Sequence, residues 1–166
     1  MNTDGQITDL KIKILNGDFS FIDVILGIVK KNKVLYSDNY GNLNKEEINA
    51  VSYLEPFMHL LYRGSKHSKF NSCESGFIRI VNYNNINLKF KYYDGPFTFV
   101  TVEIVEEVKN MKQLITMDLL QERLREAEDV KSELAPIIEK YLKAGLTFEE
   151  ITKMFVEIMK ENRISL

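Results

Sequence analysis

Phe77-Ile78-Arg79-Ile80-Val81-Asn82, Ile86-Asn87-Leu88-Lys89-Phe90-Lys91-Tyr92 and Phe97-Thr98-Phe99-Val100-Thr101-Val102-Glu103-Ile104-Val105 are the three runs that decide the fold class. Each is rich in β-branched and aromatic residues and comes close to alternating, the period of two that lays one face of a strand on a core. Tyr83-Asn84-Asn85 and Asp94-Gly95-Pro96 separate them. Turn residues at so short a spacing make an antiparallel meander.

Register decides what this sheet shows to solvent. A three-residue loop over Tyr83–Asn85 sets Arg79 opposite Lys89 on a polar face and leaves Ile78, Ile80, Leu88 and Phe90 on the apolar one; a two-residue loop moves Arg79 across. The first separates polar from apolar residues more cleanly, and Asn85 tolerates the left-handed backbone it needs, so the three-residue loop is expected.

On the N-terminal side, Leu10–Leu15 alternates apolar and lysine residues and predicts a short strand, broken by Asn16-Gly17-Asp18. Phe21, Ile22, Ile25, Leu26 and Val29 recur at helical spacing after Asp18, a residue able to cap a helix, while their β-branched content keeps a strand open as the alternative. Val34-Leu35-Tyr36 reads as a strand and Ser37–Asn42 as a turn. Asn44 with Glu47 forms a capping box ahead of the stripe Ile48, Val51, Leu54 and Met58 or Leu61, in which Pro56 must kink or restart the helix.

The last third reads as helix. Met117, Leu120, Leu124, Ala127, Lys131, Leu134, Ile138 and Tyr141 alternate spacings of three and four, the seam of a helix that packs along a partner. Pro136 implies a kink, Gly145 a helix end, and Thr147 with Glu150 a second capping box before the stripe Ile151, Met154, Phe155, Ile158 and Met159. A helical hairpin from about Leu114 to Asn162 follows. The expected architecture is α+β: an antiparallel β-meander packed with helices over residues 1–110, and a C-terminal helical arm over 111–166 that serves packing or oligomerisation.

A chain of 166 residues with 45% hydrophobic and 28% charged side chains is ordinary for one globular domain with an appendage. Cys73 is the single cysteine, which excludes an intrachain disulfide and a cysteine-rich zinc site and points to a cytoplasmic setting. The polar N-terminus does not read as a signal peptide, and the longest apolar stretch is too short to span a bilayer, so no membrane role is expected. Abundant Asn, Lys and Ile without Trp is a composition common in AT-rich bacterial or phage genomes.

Candidate chemistry is sparse. His59 and His67 with one cysteine match no metal-ligand spacing, so no metal site is expected. Cys73 shares a polar loop with Lys66, His67 and Lys69, but nucleophilic catalysis needs a base and an electropositive setting brought together in space. Isolated glycines make no phosphate loop, and adjacent carboxylates such as Glu46-Glu47 do not share a helix face. No catalytic residue and no cofactor is assigned.

One region is basic. Arg63, Lys66, Lys69, Arg79, Lys89 and Lys91 stand against Glu74 alone, and with His67 they form the candidate binding face for phosphates or for an acidic protein. The phrase Ala144–Ile151 looks like the turn of helix-turn-helix proteins, yet capping alone explains it, and the following helix carries Glu149, Glu150, Glu157 and Glu161, which phosphates would repel.

The sequence therefore points first to a non-enzymatic protein-binding module, such as an inhibitor, immunity factor or regulatory subunit of a bacterium or phage. Met117, Leu120, Leu124, Leu134 and Ile138 would form its interface, with a protein partner or a second copy. The alternative is a nucleic-acid-binding regulator using the basic sheet face; a small enzyme using His67, Cys73 or the nearby arginine and lysines ranks last.

Overall fold

The computed structural model describes residues 3–38, 40–63, 77–93 and 97–162. They divide into two compact units, Met1–Leu124 and Arg125–Leu166. The division falls after Leu124 rather than after residue 110, because Ile115, Met117, Leu120 and Leu124 are all buried in the core of the first unit.

The first unit begins with helix α1, Thr3–Leu15. The alternation over Leu10–Leu15 predicted a strand there. The wider stripe Ile7, Leu10, Ile14 wins, because its spacing of three and four places all three in the core while Ile12, which the alternation also required inside, is 52% exposed. Asn16-Gly17-Asp18 ends this helix instead of a strand: Gly17 adopts φ 76°, its N–H donates to the Ile14 carbonyl at 3.0 Å and the Asp18 N–H to the Lys13 carbonyl at 2.8 Å. Gln121 donates through Nε2 to the Ile14 carbonyl at 2.9 Å, fastening this same helix end from the far part of the chain.

Helix α2, Ser20–Asn32, settles the helix-or-strand question over residues 19–29. Phe21, Ile22, Ile25, Leu26, Ile28 and Val29 are buried along it. The N-cap position falls to Phe19; Asp18 contributes one residue earlier, its Oδ1 accepting from the Ser20 N–H and Oγ–H at 3.1 and 2.7 Å. Those bonds hold the Asp18 carboxyl below its ordinary value.

Strand β1 is Val34–Tyr36 and helix α3 is Lys45–Val51, opened by the expected capping box: the Glu47 N–H donates to Asn44 Oδ1 and the Asn44 N–H to Glu47 Oε1. Pro56 acts as a restart. The chain leaves helix at Ser52-Tyr53, and helix α4, Leu54–Arg63, takes the proline in its first turn, where no intrahelical donor is needed.

Strands β2, Phe77–Tyr83, β3, Ile86–Tyr93, and β4, Phe99–Val105, form the meander, and β5, Leu114–Thr116, adds a strand where only helix was expected. The sheet order is β1-β4-β3-β2-β5, antiparallel except for β2 with β5. Val81, Leu88, Phe90, Tyr92, Val100, Val102, Leu35 and Ile115 share the face that joins the helices in one core. At its centre Phe57 meets Phe21 and Phe90 edge-on, with ring centroids 5.1 and 5.2 Å apart.

The second unit takes helix α5, Met117–Lys143, from Arg125 onward, then helix α6, Phe148–Glu161. Pro136 lies inside α5 without ending it. Gly145 closes α5 at φ 98°, with its N–H donating to the Leu142 carbonyl and that of Leu146 to the Tyr141 carbonyl, and the Thr147–Glu150 capping box opens α6 as the sequence predicts.

Candidate functional site

The β2–β3 turn has two residues, not three. Tyr83 pairs with Ile86, and Asn84 and Asn85 both take left-handed backbone, φ 50° and 63°, the geometry that matches the twist of a tight hairpin. Arg79 therefore pairs with Phe90 rather than Lys89, turns to the helix side and is 8% exposed; Ile78 and Ile80 go to the other face with Lys91 and Lys89.

The expected basic face is correspondingly reduced. Lys89 stands opposite Glu103, with Nζ 3.7 Å from Oε1, and Lys91 places its Nζ 4.9 Å from the centre of the Tyr93 ring. Tyr93 stacks on Phe99 at 4.5 Å, and these side chains with Val34, Tyr36 and Thr101 line an open groove of about 390 Å³. Lys66, His67, Lys69 and Cys73 lie outside the described residues, as does the side chain of Arg63. Of the candidate cations, Lys89 and Lys91 are the two brought together, and one of them is ion-paired.

Two tyrosines meet carboxylates. Tyr53 donates to Asp9 Oδ2 at 2.5 Å, with Lys13 above its ring, and Tyr83 donates to Asp23 Oδ1 at 2.7 Å. The bond to Asp9, then burial, pushes the Tyr53 phenol up; burial first, then Asp23, pushes Tyr83 up to about 12. Phenols driven further from ionisation are poor bases and nucleophiles near neutrality, so both serve as tethers, Asp9 on α1 and Asp23 on α2. His59 sits 3.9 Å from Glu55 and edge-on to Tyr92. Among the described residues no three His, Cys, Asp or Glu side chains gather as a metal site, and no helix is long and apolar enough to cross a membrane.

The interface residues expected on α5 divide. Met117, Leu120 and Leu124 are 4%, 1% and 8% exposed and belong to the core of the first unit, so a partner does not reach them. Leu134 and Ile138 lie half-buried in the second unit. That unit buries a single side chain among the described residues, Ile151. On α5 it exposes Val130, Ile137, Tyr141 and Leu142, and on α6 Phe148, Met154 and Ile158. The a/d reading found Tyr141 and the α6 stripe but passed over Val130, Ile137 and Leu142, which widen the seam on either side; a broader helical stripe was the signal available.

Set against known proteins, the chain matches no protein-family model, no curated protein and no solved structure.

Proposed function

We propose that this chain is a non-enzymatic protein-binding module, of the inhibitor, immunity-factor or regulatory-subunit kind, and that the hairpin Arg125–Leu166 is its docking element. One observation carries the reading: among the described residues from Arg125 onward, this segment buries only Ile151 while exposing seven large apolar side chains. A helix pair with so small an interior lacks the burial that stabilises an autonomous fold.

The exposed side chains amount to on the order of 600 Å² of apolar surface per chain, near the roughly 800 Å² that each partner contributes to a standard interface. At about 25 cal/mol/Å² that is roughly 15 kcal/mol of gross hydrophobic gain. Association costs roughly 4–15 kcal/mol, so a well-packed partner leaves a net favourable balance. The matching occupant is a protein that offers apolar helix faces, completing a bundle around Ile137, Tyr141, Met154 and Ile158.

The test compares wild type with Ile137→Glu/Met154→Glu, both exposed positions whose change leaves the first unit intact. Affinity capture from the source cells with quantitative mass spectrometry identifies a protein held by wild type, which is then purified and titrated against both forms. The double variant is expected to bind at least about 100-fold more weakly. A wild-type dimer split by the variant identifies the partner as a second copy. Equal binding by both forms, together with a monomeric wild type, overturns the proposal.

A further inference from the structure

We propose that the sheet face turned away from the core of the first unit binds single-stranded nucleic acid in the groove beside Tyr36. The site is separate from the hairpin and does not depend on its docking role. Leu35, Phe90 and Val102 point into the core, so the residues alternating with them point the other way. Register then arranges that outer face in rungs. Tyr93 stands opposite Phe99; two residues along, Lys91, Thr101 and Tyr36 form one row across β3, β4 and β1; the next rung pairs Lys89 with Glu103.

The rows put flat rings beside a cation. Tyr36 is 49% exposed on the short strand β1, and Phe99, stacked on Tyr93 through one face, lines the same groove. Lys91 is held over the Tyr93 ring and, among the described residues, pairs with no carboxylate. Tyr36 and Lys91 both flank Thr101, which sets their backbones about 10 Å apart, a span that a base, its sugar and the linked phosphate bridge. The groove volume of about 390 Å³ is at the small end of ligand-sized clefts and suits one such unit.

Charge selects the occupant. Two lysines less Glu103 leave the groove with one net positive charge, which matches the single negative charge of a phosphodiester. Every base has a π-face to lay on an exposed tyrosine, whereas an acidic peptide brings charge without a ring. In a duplex those faces are already stacked on one another, so the single strand is the form that fits.

The experiment follows a labelled oligothymidylate by fluorescence anisotropy as the full chain is added at low salt, beside a duplex and an oligoglutamate. Wild type is expected to bind the single strand saturably, at least about tenfold more tightly than either control, with a logarithmic salt slope of about −0.7 to −1.4 for one or two phosphates. Tyr36→Ala is expected to lose about tenfold and Tyr36→Phe to bind as wild type does. Glu103→Gln, which frees Lys89, is expected to bind about threefold more tightly and to steepen the slope by about 0.7, a gain that misfolding does not produce. No saturable binding, a duplex or oligoglutamate held as tightly as the single strand, or either Tyr36→Ala or Glu103→Gln indistinguishable from wild type overturns the proposal.

Discussion

Truncating Phe57 to alanine probes the joint on which the first unit is built. The side chain is 0% exposed and touches a helix through Phe21 and the sheet through Phe90. Removing a ring of this size from a closed core costs about 3–5 kcal/mol, and the two edge-on contacts account for about 0.5–1.5 kcal/mol each of that loss. Phe57→Leu keeps most of the volume but forfeits both ring contacts, so its expected cost is about 1–2 kcal/mol. Against a stability of about 5–15 kcal/mol the alanine variant gives up roughly a fifth or more. Urea unfolding followed by near-ultraviolet circular dichroism reports the aromatic core; with a slope near 2 kcal/mol/M the alanine midpoint falls by about 2 M and the leucine midpoint by less than 1 M. An alanine variant within about 1 kcal/mol of wild type would refute the packing argument, since a core that loses a ring without penalty is not closed around it.

The tether of Tyr83 gives a pH signature. Its folded phenol is raised to about 12 from 10.0, so its contribution is complete below pH 10 and is lost as pH climbs from 10 through about 12. Tyr83→Phe is expected to cost about 1 kcal/mol at neutral pH and to flatten that alkaline decline relative to wild type; parallel curves of unfolding free energy between pH 8 and 12 would contradict it. The turn predicts a contrast at Asn85, whose φ is 63°. Asn85→Ala should destabilise by about 1 kcal/mol and Asn85→Gly should be neutral or better, and equal melting temperatures for the two would show that the left-handed conformation is not being selected.

Much of the architecture is legible in the residues, and each exception has its own physical cause. Both capping boxes, the Gly145 helix end, the meander and the C-terminal helices follow from short-range chemistry that the sequence displays directly. Leu10–Leu15 misleads because Lys11 and Lys13 alternate with apolar neighbours inside what is a helix, where Ile7, lying before the window, supplies the deciding contact. Strand β5 is three residues long and is created by pairing with β2, a partner far away in the chain. The turn misleads in a different way. Segregating polar from apolar residues is a sound guide to register, but Arg79 breaks it by going inside, which takes one charge away from the expected basic face. The candidate site suffers most from this: the outward-facing lysines were visible, whereas the buried arginine and the width of the exposed hairpin seam depend on the folded arrangement.

The short outer strands restrict how this protein can be recognised. Val34–Tyr36 lies along Thr101–Glu103 of β4, and Ser37 extends the seal, its N–H donating to the Val100 carbonyl and its Oγ accepting from the Val100 N–H. On the opposite flank Leu114–Thr116 occupies the side of β2 from Ile80 to Asn82. A visiting peptide that sought to lengthen the sheet would first have to peel off one of these guards, and a three-residue guard is itself too brief a template for β-augmentation. Main-chain zippering is thereby discouraged on both flanks, which leaves side chains as the language of contact.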